Sequence, residues 1–257
     1  MKINEILFEG HKKIDLDWVR ENCSQAIERY NKGYKMYRGD QLFEGKAVLM
    51  TARNKSREAA HAMSNLHTNI INNSSEFKNF PKREIVMSTF PEKAKNYGSL
   101  YVCLPVNGAM IGIVPDDDVF TGFKDIKGSL GIFYRRLENE FLPYLEQWTR
   151  ENFWSVRSTN KLFRELHQNA SQQDIEDLVE ALEDILANDI LYPYKQALAD
   201  CVKQGSGKPL FALFTNEGWE SVAISQFETQ GNHEVWTDSP VVLLNHEDID
   251  LVVSAST

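Results

Sequence analysis

Arg38, Ser88 and Glu234 are among the residues of this 257-residue chain whose types could do chemistry. Arg38 follows an aromatic residue in the run Tyr34-Lys35-Met36-Tyr37-Arg38-Gly39-Asp40. Ser88, with Thr89, stands where the apolar run Ile85-Val86-Met87 ends. Glu234 opens the segment Glu234-Val235-Trp236. A guanidinium makes bidentate hydrogen bonds to phosphate or sugar oxygens. A fixed carboxylate stabilises positive charge that develops on a reacting sugar. A hydroxyl can hydrogen-bond either group and hold the geometry. Each also has a plain structural role. Arg38 could be an ion-pair partner, Ser88 and Thr89 could cap the next helix, and Glu234 could face solvent from a strand. The functional reading depends on the three together.

The elements that must position them can be read from spacing. Residues 85–87 suit a buried strand. Pro91 can open a short helix because its missing N–H is not needed there. Ala94 and Tyr97 then share a face, and Gly98 supplies a stop. Residues 100–104 form a second apolar run of strand length. The order is strand, two hydroxyls, short helix, strand.

This order resembles the centre of the ADP-ribosyltransferase fold, in its Arg-Ser-Glu class. There a strand ends in Ser-Thr-Ser, a short helix with Ala and an aromatic-Gly pair follows, and the next strand runs into Pro and a Gly turn. Here the triplet reads Ser88-Thr89-Phe90, so the third position departs from the pattern. The Tyr37-Arg38-Gly39 run is similar to the family's first strand. Gly231-Asn232-His233-Glu234-Val235-Trp236, followed by a Pro-containing turn and an apolar run, is similar to its last motif. The resemblance implies an α+β fold, a split β-sandwich core of ADP-ribosyltransferase type. The chain would be one such domain over residues 1–257, with a large helical insertion at about 119–209.

The resemblance further implies NAD as substrate. Glu234 would stabilise the oxocarbenium-like ribose, Arg38 would bind phosphate or ribose, and Ser88 would hold the geometry. Gly39, Thr89, Phe90 and Tyr97 would complete the NAD-binding set. Phe90 or Tyr97 would stack on the nicotinamide ring, although Tyr97 reads as well as a core residue. Asn232 and His233 would face the acceptor. Arginine-modifying members carry Glu or Gln where this chain has Asn232, which argues against arginine as acceptor and leaves another side chain, a nucleic acid or water open; the resemblance implies a macromolecular acceptor, most readily a protein. The implied activity is mono-ADP-ribosyl transfer, a glycosyltransferase reaction without a metal. Two alternatives stay open: an inactive protein of the same fold serving binding or assembly, and an NAD glycohydrolase using water as acceptor. Glu234→Gln is expected to keep the fold and to cost about 10²–10³ in rate.

Composition sets outer limits. Apolar residues are 42% and charged residues 25%, the balance of an ordinary globular chain. A net charge of −9 argues against tight non-specific nucleic-acid binding. Lys78, Lys82, Arg83, Lys93 and Lys95 nevertheless gather around the central motif. No apolar stretch approaches the length of a membrane span, and Met1 to Ile6 lacks a signal-peptide core. Three scattered cysteines suggest neither a disulfide framework nor a zinc site. A cytoplasmic setting fits. The beginning of the chain also resembles tailed-phage proteins, for which the setting would be the host cytoplasm.

The remaining spacing predicts a helix capped by Asp15 or Asp17 and running to about Asn31, and a short apolar run at residues 47–50. Another helix would run from Ser56 to about Asn72. Residues 100–104 and 110–114 read as a hairpin, and residues 116–118 as a solvated acidic turn. Within the helical block, Phe133, Leu137, Phe141, Leu142 and Leu145 recur at helical spacing, and Ser171 with Asp174 suggests a capping box. Pro193 should kink or end the helix before it. Residues 210–214, 222–227, 235–236, 241–244 and 251–253 read as short strands.

Overall fold

The structure is a computed structural model, and it describes residues 11–41, 46–52, 62–119, 130–145, 159–187 and 191–253. The chain divides into two compact units. One comprises Met1–Ser56, Asn79–Gly122 and Gly218–Thr257; the other comprises Arg57–Lys78 and Phe123–Glu217.

The first unit holds all the strands among the described residues. They are β1 (His11–Lys13), β2 (Tyr37–Asp40), β3 (Ala47–Met50), β4 (Ile85–Ser88), β5 (Ser99–Pro105), β6 (Met110–Ile113), β7 (Glu220–Ala223), β8 (Glu234–Thr237) and β9 (Val241–Asn245). They form one antiparallel sheet in the order β1-β3-β9-β5-β2-β4-β8-β6-β7. The sheet has a narrow seam. β2 meets β5 through four residue pairs but meets β4 through one, Tyr37 with Ser88. The strands on the two sides of this seam are one sheet, joined there by a single residue pair.

Burial explains the centre of this sheet. Val102, Cys103 and Leu104 of β5, and Val242, Leu243 and Leu244 of β9, are buried irrespective of which way alternation points them. A strand covered on both faces reads as a continuous apolar run. Burial pushes the thiols of Cys23 and Cys103 up to about 12. Neither is a nucleophile near neutral pH.

Two helices, Leu16–Asn22 and Ser24–Asn31, replace the single one expected, with the break at Cys23. Asp15 caps the first, its Oδ1 accepting from the Trp18 N–H at 2.7 Å. Cys23, Ala26 and Ile27 carry the packing onto the sheet.

The expected hairpin of residues 100–104 with 110–114 does not form. β5 spends both its edges on β2 and β9, whereas β6 pairs with β7 and β8. The turn between them carries the chain from one part of the sheet to the other. The Val106 N–H donates to the Pro240 carbonyl at 3.1 Å and the Asn107 N–H to the Asn22 carbonyl at 2.7 Å. Residues 251–253 are also not a strand: Asp250–Val253 is a helical turn with Val252 buried.

The second unit is helical among its described residues. It contains Ala62–Asn73, Leu130–Arg136, Thr159–Asn169, Gln172–Ile185 and Tyr192–Gln204, with shorter turns between them. Phe133, Leu137, Phe141 and Leu145 are all buried, their spacing of four carried through a π-turn at Leu137–Phe141. The Ser171–Asp174 capping box is present. Pro193 opens the helix Tyr192–Gln204 instead of ending its predecessor, which stops at Ile185. Residues 210–214 are not a strand either. Pro209 starts the short helix Lys208–Phe211, and Leu210, Phe211 and Phe214 are buried from it and the following turn. The cap expected at Ser56 lies outside the described residues. Among the described residues, no helix is long and apolar enough to cross a membrane.

Candidate functional site

The site builds outward from the seam. β2, β4 and β8 are consecutive in the sheet although far apart in the chain. Tyr37 pairs with Ser88, and Ser88 pairs with Glu234. Paired residues on neighbouring strands share a face, so Tyr37, Ser88 and Glu234 form one row. Ser88 and Glu234 are both buried.

Arg38 stands next to this row, not in it, because side chains alternate along a strand. Its Nη1 donates to the Val86 carbonyl at 2.7 Å, and its Nε donates to Asp40 Oδ2 at 2.8 Å. Val86 lies on β4 just beyond the point where β2 and β4 part. The guanidinium thus takes over from the backbone ladder at the seam.

Glu234 is held by Arg83, one of the basic residues gathered around the central motif. Arg83 donates to Glu234 Oε1 from Nε at 2.9 Å and from Nη2 at 2.8 Å. Both side chains are about nine-tenths buried, at 9% and 10% exposure. The second oxygen, Oε2, accepts a long bond from the Val119 N–H at 3.4 Å. An Arg two residues before a buried strand was the available signal. Which acid it meets depends on the pairing of β4 with β8, and local spacing does not contain that.

The loop after β6 closes over this region. The Glu234 N–H donates to the Asp116 carbonyl at 3.3 Å. Asp117 and Asp118 pair with Lys93 at 3.2 and 3.3 Å, and Lys93 also reaches the Asp117 carbonyl. The acidic turn is therefore latched to the helix Pro91–Lys95. Burial opposes the charge of Lys93, but Asp118 and Asp117 outweigh it and raise its pKa.

That helix explains Gly39. A Cβ there would lie 1.9 Å from the Ala94 carbonyl oxygen. Glycine lets the helix sit directly on β2, a backbone-to-backbone approach no side chain would permit. Ala94 is buried as expected, but Tyr97 is not a core residue. It is 69% exposed, because the helix ends at Lys95 and the chain turns through Gly98 at φ +137°. Phe90 is 36% exposed at the other end of the helix, and its N–H donates to Ser88 Oγ at 3.0 Å. The two aromatics expected to meet a planar ring thus flank the helix and are open to contact.

The segment ahead of Glu234 is pinned from several sides. Thr89 Oγ1 donates to the Gly231 carbonyl and accepts from the His233 N–H, both at 2.8 Å. Arg29 Nη1 donates to Glu228 Oε1 at 2.6 Å. Asn232 is exposed. Beside this segment lies a cavity of about 380 Å³ whose walls include Lys32, Tyr34, Tyr37, Thr89, Gln230 and Gly231.

No protein-family model matches this chain, and no curated protein or solved structure matches it.

Proposed function

We propose that the chain is a mono-ADP-ribosyltransferase with the split β-sandwich core of that superfamily, transferring ADP-ribose from NAD to a macromolecular acceptor. The observation that carries the reading is the adjacency of β2, β4 and β8, with Ser88 opposite Glu234. Three motifs picked out by residue type and order lie on three neighbouring strands. The single-pair seam between β2 and β4 supports a core split at that point.

In this reading the bond between nicotinamide and the ribose C1′ breaks, and its electron pair leaves with nicotinamide. Positive charge spreads over C1′ and the ring oxygen. Glu234 stabilises that charge, and an acceptor nucleophile closes on C1′ and loses its proton. Arg38 at the seam is positioned to receive phosphate or ribose oxygens in place of Asp40. Phe90 and Tyr97 supply aromatic faces.

The Arg83 pair favours a second reading. A carboxylate already neutralised by a buried guanidinium stabilises a nearby cation less. A protein that keeps the fold but serves binding or assembly would tolerate that arrangement without cost.

Incubating the protein with labelled NAD and a cell extract separates the readings. Label on a macromolecule, lost in Glu234→Gln, supports transfer. Free ADP-ribose alone means water is the acceptor. Unchanged NAD supports the binding role.

A further inference from the structure

We propose that His233, as an imidazolium, is a positioning residue that clamps the rim of the cavity lined by Thr89, Gln230 and Gly231. The inference stands on geometry and does not depend on the transferase reading. His233 Nδ1 lies 2.8 Å from the Val114 carbonyl oxygen, and Nε2 lies 3.0 Å from the Gln230 carbonyl oxygen. Both neighbours are acceptors only. A neutral imidazole has one N–H and can donate to one of them; its other nitrogen then presents a lone pair to a carbonyl oxygen. The doubly protonated ring donates to both. The ring therefore bridges the end of β6 to residue 230 of the cavity rim in its charged form, and one end of the bridge is lost on deprotonation.

The local backbone is shaped to this ring. Gly231 has φ +106°, and a Cβ there would come 3.3 Å from His233 Nε2. Gln230 and Gly231 both line the cavity, so what the ring holds is the cavity wall. Charged groups stand on every segment packed around it. Asp116, Asp117 and Asp118 follow Val114, with Asp117 and Asp118 held by Lys93 of the neighbouring helix. That helix also carries Glu92 and Lys95, which pair with each other. Glu228 on the histidine's own loop is paired with Arg29, and Glu234 next to it is paired with Arg83.

The test is a nitrogen-detected NMR titration of the full chain, from pH 5 upward until the His233 ring loses a proton. The expected result is a ring protonated on both nitrogens at the low end. The Gly231 and Asn232 amide signals should then shift along the ring's own titration curve while those of β9 stay fixed. Hydrogen exchange in residues 229–232, relative to β9, should quicken about tenfold across the same step, the equivalent of one hydrogen bond to a charged group. In His233→Ala the coupled shifts should vanish and the fast exchange persist at every pH. A ring carrying one proton from pH 5 upward overturns the clamp. So does a ring that titrates while Gly231 and Asn232 stay still.

Discussion

Ser88 of β4 and Glu234 of β8 oppose each other in one register pair, and the Glu234 carboxylate is turned onto Arg83 at 2.8 Å. Glu234 is therefore part of the fold as well as a candidate for chemistry. The sequence alone suggested that Glu234→Gln would be structurally silent; the ion pair corrects that.

Removing one partner of a buried pair strands the other charge. Arg83→Met should destabilise the protein by about 3–5 kcal/mol. Glu234→Gln should cost less, because an amide oxygen still accepts from the guanidinium. The double variant should be clearly more stable than the sum of the two losses predicts. Urea unfolding of the four proteins measures this, and strictly additive losses would show that the pair is not coupled. Any activity of Glu234→Gln should be compared well below the variant's own Tm.

Gly39→Ala forces a methyl group into the Ala94 carbonyl. The helix Pro91–Lys95 must lift from β2, at a cost of about 1–3 kcal/mol or more. Urea unfolding checks the stability, and the Phe90 and Tyr97 environments should change with it. A variant as stable as the parent would mean that the helix is not seated on Gly39.

The Lys93 latch has a defined pH signature. Its pKa is raised, so the stability it contributes is fully present below its ordinary value of 10.5 and is lost only as pH rises beyond that. Across neutral pH the latch should be constant. Lys93→Met should speed amide exchange in residues 116–119 at pH 7. Because Asp117 is half exposed, moderate salt should have part of the same effect. Unchanged exchange in the variant counts against the latch.

Glu84 gives a pH effect of the same sign in a lower window. Burial raises its pKa above the ordinary 4.5, with Lys82 opposing and Asp238 adding. The folded protein then holds this proton more tightly than the unfolded chain does. Stability falls as pH rises through the window between 4.5 and the raised value. Glu84→Gln should therefore melt higher than the parent at pH 7, and the gap should close well below 4.5. A gap that stays the same at all pH values would place the cause elsewhere.

What could be read in the sequence was local. The strand at Ile85–Ser88, the helix start at Pro91, the strand at Tyr37–Asp40 and the Ser171 cap all follow from spacing and side-chain chemistry within a few residues. The failures lie where local spacing does not decide. Residues 100–114 look like a hairpin because two apolar runs flank a turn, yet each run finds its partners elsewhere. Leu251 to Val253 and Leu210 to Phe214 are apolar runs too short for period alone to tell strand from helical turn. Tyr97 looked internal until the helix proved to be five residues long. Arg83 could not be matched to Glu234, because the sheet makes that pairing and neither neighbourhood does.

The order of strands has a consequence for how the protein is made. On one side of the seam lie β1, β2, β3, β5 and β9; on the other lie β4, β6, β7 and β8. β9 sits between β3 and β5, and β8 sits between β4 and β6. A growing chain on the ribosome thus holds unfilled gaps in both parts until Glu234–Asn245 has emerged. Pairings this distant close slowly and leave strand edges open meanwhile. Nascent chains stalled before Glu234 should be sensitive to protease throughout the strands already synthesised, and release of one further dozen residues should protect them together.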